Sequence, residues 1–104
     1  MKFSVDILDA AKTDIRNAFD WYEQKQPGLG KRFIQAVRAK FRYIQHNPFA
    51  APMRYGEMRC AVIDVFPYMV HFTVDEHHHR VIVAAVFHTA LNPSKWENKS
   101  IGGE

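Results

Sequence analysis

After an N-terminal stretch with strand alternation, the apolar residues of this 104-residue chain follow helical spacing up to residue 48 and strand spacing in the second half. This single change restricts the fold more than any short motif does. The helical half is divided at Pro27-Gly28, a pair that breaks helices. It ends at Asn47-Pro48, because the residue before a proline avoids the helical region. The short break predicts two helices that form an antiparallel hairpin.

The two predicted helices differ in their charged faces. Asp9 is a plausible N-cap for the first helix. The second helix begins near Leu29 or Gly30 and ends at residues 46–48. On it, Arg38 and Arg42 are four residues apart and therefore share one exposed side, with Lys31 and Gln35 on roughly the same row.

The remaining apolar segments predict strands. Residues 2–7 alternate as in a strand with one buried face, and strands follow at 58–65, 68–74 and 80–88, whereas residues 49–56 are predicted as a loop. The predicted fold class is α+β: an N-terminal strand, the helical hairpin and a three-stranded antiparallel meander (β-α-α-β-β-β), with the helices on one face of the sheet. Residues 1–104 are expected to form one domain, with a flexible tail from about residue 97. How the first strand joins the sheet is left open by the pattern.

The cysteine content and the apolar runs indicate a cellular setting. Cys60 is the only cysteine, so the chain cannot form an internal disulfide and fits a reducing compartment. The N-terminus lacks the apolar core of a signal peptide, and no apolar run approaches the length of about 20 residues that spans a bilayer. We therefore expect a cytoplasmic protein with no membrane partner.

The positive charge is unevenly distributed. Residues 24–56 contain no Asp or Glu. The same stretch carries the following cations: Lys25, Lys31, Arg32, Arg38, Lys40, Arg42 and Arg54. Such a segment creates a field that favours an acidic partner, either nucleic acid or an acidic protein segment. The alternative is a solvated basic face of a helix.

The histidines offer the first candidates for chemistry. His77, His78 and His79 are consecutive in a turn and cannot all point at one ion, so we predict no metal site and no cofactor. If Val74 pairs with Val81, then His71 and His88 share one face of the sheet, where an imidazole can act as general acid or base. The alternative is two unrelated strand histidines, because no serine or cysteine nucleophile accompanies them.

The C-terminal segment carries a second set of candidates. Asn92-Pro93 is a turn signal, and Trp96 three residues later can fold back to cap the sheet edge. A structural clasp and direct contact with a ligand are both compatible with this pattern. Lys95 adds positive charge in the same place.

The order of several features resembles the RelE/ParE toxin family of type II toxin–antitoxin systems over nearly the whole chain. In the helices these are Trp21-Tyr22, the Pro-Gly turn, Arg32-Phe33 and the Asn47-Pro48 end. In the sheet they follow one another along the chain as Arg59, Phe66-Pro67-Tyr68-Met69-Val70, Val81-Ile82-Val83, His88, Asn92-Pro93 and Trp96.

The resemblance implies a plasmid-stabilisation-like toxin that is neutralised by a cognate antitoxin in a hetero-oligomeric complex. An antitoxin's disordered, often acidic tail would fold on binding. The residues expected to bind the antitoxin are Trp21, Arg32, Arg38 and Arg42. The residues expected to bind the target are Arg59, His71, His88, Asn92, Lys95 and Trp96.

The family includes two kinds of target. RelE-like members cut messenger RNA on the ribosome, and in such a nuclease Arg59, Arg80 and His88 would be the catalytic residues. Met69 stands where one nuclease arginine would map, Thr89 replaces an aromatic residue and Leu91 replaces an arginine. The resemblance therefore favours a ParE-like toxin that inhibits growth by binding DNA gyrase. The alternatives are a ribosome-dependent endoribonuclease and a non-toxic binding module derived from the family.

Overall fold

The computed structural model describes residues 2–91. Its elements follow in chain order: β1 Ser4–Ile7, α1 Asp9–Lys25, α2 Leu29–His46, β2 Met53–Tyr55, β3 Met58–Val62, β4 Tyr68–Asp75 and β5 Arg80–His88. The α+β class, the N-terminal strand and the helical hairpin are confirmed. Within residues 2–91, neither helix is long and apolar enough to cross a membrane.

The five strands form one sheet in the order β1-β5-β4-β3-β2. Strands β2 to β5 are antiparallel neighbours, whereas β1 runs parallel to β5 and pairs Val5 with Val81. The helical hairpin lies between β1 and β2 and carries the chain from β1 at one edge of the sheet to β2 at the opposite edge. The position of β1, which the sequence pattern did not reveal, is thus at the edge of the sheet.

Two local predictions were wrong. Residues 49–56, predicted as a loop, contain β2, which escaped notice because its three residues are too short for a periodic pattern. Asp9 is the first residue of α1 and not its N-cap, which is Leu8. Asp9 still carries negative charge in the first turn, where it interacts favourably with the helix dipole.

The turn between the helices is held by one side chain. The Glu23 carboxylate accepts hydrogen bonds from the backbone N–H groups of Gly28 at 2.9 Å and Gly30 at 3.0 Å. Gly28 has φ of 90°, a conformation that a residue with a Cβ rarely adopts. At Gly30 a Cβ would lie 2.8 Å from the ring and carbonyl oxygen of Phe19. The helices therefore approach closely at this end because position 30 has no side chain.

The helices cover one face of the sheet. The main core joins the buried side chains of both helices to those of the strands, which include Tyr22, Phe33, Ile44, Val70, Phe72 and Val83. The opposite face carries a second, smaller buried cluster of Cys60, Met69, Ala85 and Phe87. The sheet thus separates two apolar layers, and the face on which a strand residue lies decides its surroundings.

Candidate functional site

An open groove of about 610 Å³ lies between α1 and the adjoining ends of β4 and β5. Its helical wall is formed by residues spaced by one turn of α1: Asp14, Asn17, Ala18, Trp21 and Tyr22. Its sheet wall is formed by Pro67, Tyr68, Val86, Phe87 and His88. A concave, largely aromatic surface with a few polar groups is typical of a binding site.

One hydrogen bond joins the two walls. The Asp14 carboxylate accepts a hydrogen bond from the backbone N–H of Val86 at 3.0 Å. β1 pairs with β5 only as far as Val83, so the edge of β5 beyond Val83 has no neighbouring strand on that side among the described residues. Asp14 thus accepts a hydrogen bond from the backbone at an exposed edge of the sheet, and this bond holds α1 against that edge.

Trp21 is the most prominent apolar side chain of the groove. Its side chain is 53% exposed although its ring meets Tyr22 edge-on at 5.1 Å between centroids. The Lys25 ammonium lies 4.8 Å from the centre of the indole. Tryptophan contributes disproportionately to protein–protein binding energy when a partner covers it. That Trp21 binds an antitoxin stays a prediction.

His88 lies at the sheet end of the groove. Its Nδ1 accepts a hydrogen bond from the backbone N–H of Ala90 at 3.0 Å, which places the proton of the neutral ring on Nε2. Its ring meets Tyr68 edge-on at 5.2 Å. None of the described residues that line the groove is Lys or Arg, so the groove itself offers no cation to stabilise charge on a phosphate.

His71 lies on the other face of the sheet from His88. Val74 does pair with Val81, but the two histidines do not share a face, which leaves the alternative of two unrelated strand histidines. A β-bulge shifts the register between β4 and β5, so that Phe72 pairs with Val83 but His71 pairs with Ala85. One extra residue in a strand moves every later side chain to the opposite face. His71 is fully buried, so it is not placed to contact a target directly.

The surroundings of His71 suppress its ionisation. Its Nδ1 lies 3.0 Å from the Tyr55 hydroxyl and 3.3 Å from the Cys60 sulfur. Burial, with a smaller contribution from the charge of Arg54, lowers the pKa of His71 to about 4. Burial raises the pKa of Cys60 to about 11, against a smaller lowering by Arg54. Both side chains are therefore neutral near pH 7, and this Cys–His pair lacks the thiolate of a nucleophile.

The three residues assigned to a nuclease do not form one site. Arg59 points to the helical side, where it donates hydrogen bonds to the carbonyl oxygens of Ala51 at 2.6 Å and Phe49 at 3.3 Å. Arg80 is at the start of β5, on the other face of the sheet. His88 ends the same strand, about 26 Å away at 3.3 Å per residue.

Arg80 is engaged in ion pairs with carboxylates of neighbouring strands. Its guanidinium lies 3.2 Å from the Asp6 carboxylate and 3.7 Å from that of Asp75. Asp75 also accepts hydrogen bonds from the ring and the backbone N–H of His78, and these lower the pKa of its carboxyl group. This cluster ties the β4–β5 turn to β1. Among residues 2–91, no three His, Cys, Asp or Glu side chains are grouped so as to hold a metal ion.

The other predicted contact residues divide into two groups. Arg32, Arg38 and Arg42 are exposed on α2 and do not line the groove that contains Trp21. Asn92, Lys95, Trp96 and the tail from about residue 97 lie outside the described residues.

Most of the groove was missed from the sequence. A signal was present, because positions 14, 17, 18 and 21 form one row of α1 next to its buried stripe. Helical spacing shows only that these four residues share one face of α1. The opposing residues of β4 and β5 are more than forty positions away in the chain, and only the packing of α1 on the sheet brings them to it.

Comparison with known proteins gives consistent results. Residues 5–93 match the family model described as the ParE toxin of the type II toxin–antitoxin system parDE. No curated protein matches the chain significantly in sequence. In a chromosomal ParDE toxin–antitoxin system from P. aeruginosa, a solved chain superposes with a TM-score of 0.72 at 15% identity, with 84% of this chain and 96% of that chain covered.

Two further solved structures share the fold. A chain of a RelBE toxin–antitoxin complex from Mycobacterium tuberculosis gives a TM-score of 0.60 at 18% identity, over 85% of this chain and 99% of that one. A double arginine-to-alanine mutant of the E. coli toxin RelE in the free state gives 0.68 at 13% identity, over 97% and 96% of the two chains.

Proposed function

The chain belongs to the ParE toxin family of type II toxin–antitoxin systems, and from that premise we propose that it arrests growth by binding a macromolecular target, DNA gyrase, and not by cutting RNA. The observation that carries this proposal is the dispersal of Arg59, Arg80 and His88. RNA cleavage needs a cation at the scissile phosphate together with a group that transfers a proton, and both must be in one place. Here Arg80 lies on the opposite face from His88 and at the other end of β5, and Arg59 lies two strands away from His88.

The residue that replaces a nuclease arginine supports the same conclusion. Met69 is buried with Cys60, Ala85 and Phe87 on the face away from the helices. Its thioether carries no charge and donates no hydrogen bond. His88 remains at the groove as a target contact, where its ring nitrogen and the neighbouring Tyr68 offer polar groups to a protein surface.

The groove is proposed as the docking site of a cognate antitoxin. Its exposed indole, Trp21, and the facing Tyr68 can bury apolar side chains of a segment that folds on binding. The acid-free helix α2, with Arg32, Arg38 and Arg42, supplies a positive field that would attract an acidic antitoxin tail from a distance. The solved toxin–antitoxin complexes that share this fold make an antitoxin partner the natural expectation.

The experiment is inducible expression in bacteria without an antitoxin, followed by growth, transcript integrity and plasmid supercoiling. We expect growth arrest with intact transcripts and loss of negative supercoiling, and inhibition of purified gyrase by the purified chain. His77→Ala, in the turn at the far end of β5, serves as the control for His88→Ala.

Two results would overturn the proposal. Transcript cleavage that disappears in His88→Ala or Arg59→Ala but persists in His77→Ala would establish the endoribonuclease. Normal growth with undisturbed supercoiling and transcripts would favour a binding module without toxicity.

A further inference from the structure

The outer face of α2 carries a straight row of cations. Lys31, Arg38 and Arg42 are all exposed and lie on one side of the helix, because their spacings of seven and four residues are close to whole turns. Gln35 completes the row. From Lys31 to Arg42 the row extends about 16 Å along the helix axis at 1.5 Å per residue.

The charge of this row is uncompensated within the described part of the chain. α2 contains no Asp or Glu. The ion pairs found among residues 2–91 involve Asp6, Asp75, His78 and Arg80, and none includes a cation of α2. The helix therefore presents a strip of three cations on a rigid element.

The composition of the row distinguishes its partner from that of the groove. A protein interface draws most of its binding energy from apolar or aromatic anchors, which the groove has in Trp21 and which the row lacks. Among residues 31–42, the exposed residues other than cations are Gln35 and Ala39, and neither has a large apolar side chain. A charged strip without anchors is suited to a partner whose own surface is a line of charges.

The row also favours a duplex over an unpaired strand. Proteins bind single-stranded nucleic acid by stacking bases on aromatic side chains next to a basic strip. Tyr43, the exposed aromatic residue of α2, lies about 100° around the helix from Arg42, and the Lys40 ammonium lies 4.9 Å from the centre of its ring. A rigid strip of about 16 Å matches roughly five base pairs of a duplex, at 3.4 Å per phosphate along each strand.

We infer that Lys31, Arg38 and Arg42 bind the phosphate backbone of double-stranded DNA without reading its sequence. The inference rests on the proposed function in one respect: in the cell, the duplex that the row binds is the DNA held by the target, gyrase. Because the row does not line the groove, the protein can contact DNA and a protein partner at the same time. Attraction of an acidic antitoxin by the same field acts at a distance and does not require these arginines in the final interface.

The test measures binding of the purified chain to a short fluorescent duplex by anisotropy across a range of salt concentrations. We expect Arg38→Gln/Arg42→Gln to weaken binding at least about tenfold near 0.1 M salt and to reduce the log–log salt slope by about 2, one unit for each lost phosphate contact. The matched control is Lys12→Gln/Arg16→Gln, which removes the same charge from exposed positions of α1. It should change affinity less than about threefold, with the slope nearly unchanged.

Three results would overturn the inference. Equal weakening by both double variants would mean that only net charge matters. Tighter binding to single-stranded RNA than to the duplex would assign the row to another partner. A wild-type chain with no salt-dependent duplex binding would leave the row without a nucleic-acid role. Thermal unfolding of each variant establishes that the folded protein is compared.

The outcome is separable from that of the proposed function, because duplex binding is measured without gyrase. Row-dependent duplex binding with no inhibition of gyrase would sustain this inference and contradict the proposed target. Gyrase inhibition that is unaffected in Arg38→Gln/Arg42→Gln, together with unchanged duplex binding, would contradict this inference alone.

Discussion

Asp14 of α1 and Val86 of β5 are joined by a hydrogen bond of 3.0 Å between a carboxylate oxygen and a backbone N–H. The two residues are 72 positions apart in the chain. Their contact joins the two walls of the groove and gives the Val86 N–H a partner beyond Val83, where β1 no longer pairs with β5. The walls of the proposed antitoxin site are thus held by a side chain.

We expect Asp14→Ala to lower the free energy of unfolding by about 1.5–3 kcal/mol, because a hydrogen bond to a charged acceptor is lost and a backbone N–H loses its partner. Asp20→Ala, exposed on the same helix, should change it by less than about 0.5 kcal/mol. Urea unfolding of both variants decides the matter. Equal effects would show that the contact contributes nothing beyond the loss of a surface charge.

The buried His71 predicts a dependence of stability on pH. Its pKa of about 4 in the folded chain lies below the value of about 6.5 in the unfolded chain. The unfolded state therefore binds more protons between these values, so this contribution to stability is complete above about pH 6.5 and is lost as pH falls towards 4. The full difference corresponds to about 3 kcal/mol at 1.36 kcal/mol per pKa unit.

Urea unfolding at pH 7 and pH 5 measures this effect. The wild type should lose stability over this interval, and His71→Leu should lose clearly less, because it removes the group that titrates. An unchanged pH dependence in His71→Leu would contradict the assignment.

Cys60 is predicted to be an unreactive thiol. Burial raises its pKa to about 11, so the thiolate that reacts with disulfides and alkylating agents is scarce at pH 7.5. We expect modification by a chromogenic disulfide to be at least about 100-fold slower in the folded chain than in urea. Comparable rates in the two states would mean that the face carrying Cys60 opens readily.

Val65 is strained and exposed at the same time. Its φ of 73° and the hydrogen bond from the Phe66 N–H to the Asp64 carbonyl oxygen at 2.8 Å define a three-residue turn that is rare for a β-branched residue. Its side chain is 85% exposed and contributes little packing. We expect Val65→Gly to stabilise the chain by up to about 1 kcal/mol, because relief of strain exceeds the added entropy of the unfolded state.

Val62→Gly provides the comparison for Val65→Gly. Val62 is also exposed but lies in β3 with ordinary strand geometry. Glycine there should destabilise the chain by about 0.5–1 kcal/mol. Destabilisation by both substitutions, seen as lower midpoints of thermal unfolding, would refute the claim of strain at Val65.

The sequence predicted the elements more accurately than their arrangement. Helical spacing and the two prolines located α1 and α2 because local steric rules act within a few residues. The strands from Met58 onward were found by their apolar runs, although β3 ends at Val62, before the predicted residue 65. β2 was missed because a strand of three residues carries no period of its own. The sequence also did not show which strand β1 pairs with, because pairing between distant strands leaves no local pattern.

The contact roles of the candidate residues stay predictions. The exposed side of α2 that carries Arg38 and Arg42 followed from helical periodicity. The opposite facing of His71 and His88 did not follow from the sequence. A single bulged residue between Val83 and Ala85 turns every later side chain of β5 to the other face of the sheet. Nothing in the run Val83-Ala84-Ala85-Val86 marks this bulge.

By itself, the sequence determined the two helices, the main strands, the acid-free strip of α2 and the likeness to a toxin family, because each depends on residues close together in the chain. Only the tertiary structure decided that Arg59, Arg80 and His88 are apart and that α1 and the end of the sheet enclose a groove. These relationships depend on register and on packing between segments tens of residues apart. In such relationships, one extra residue in a strand or one side chain such as Asp14 determines which groups come into contact.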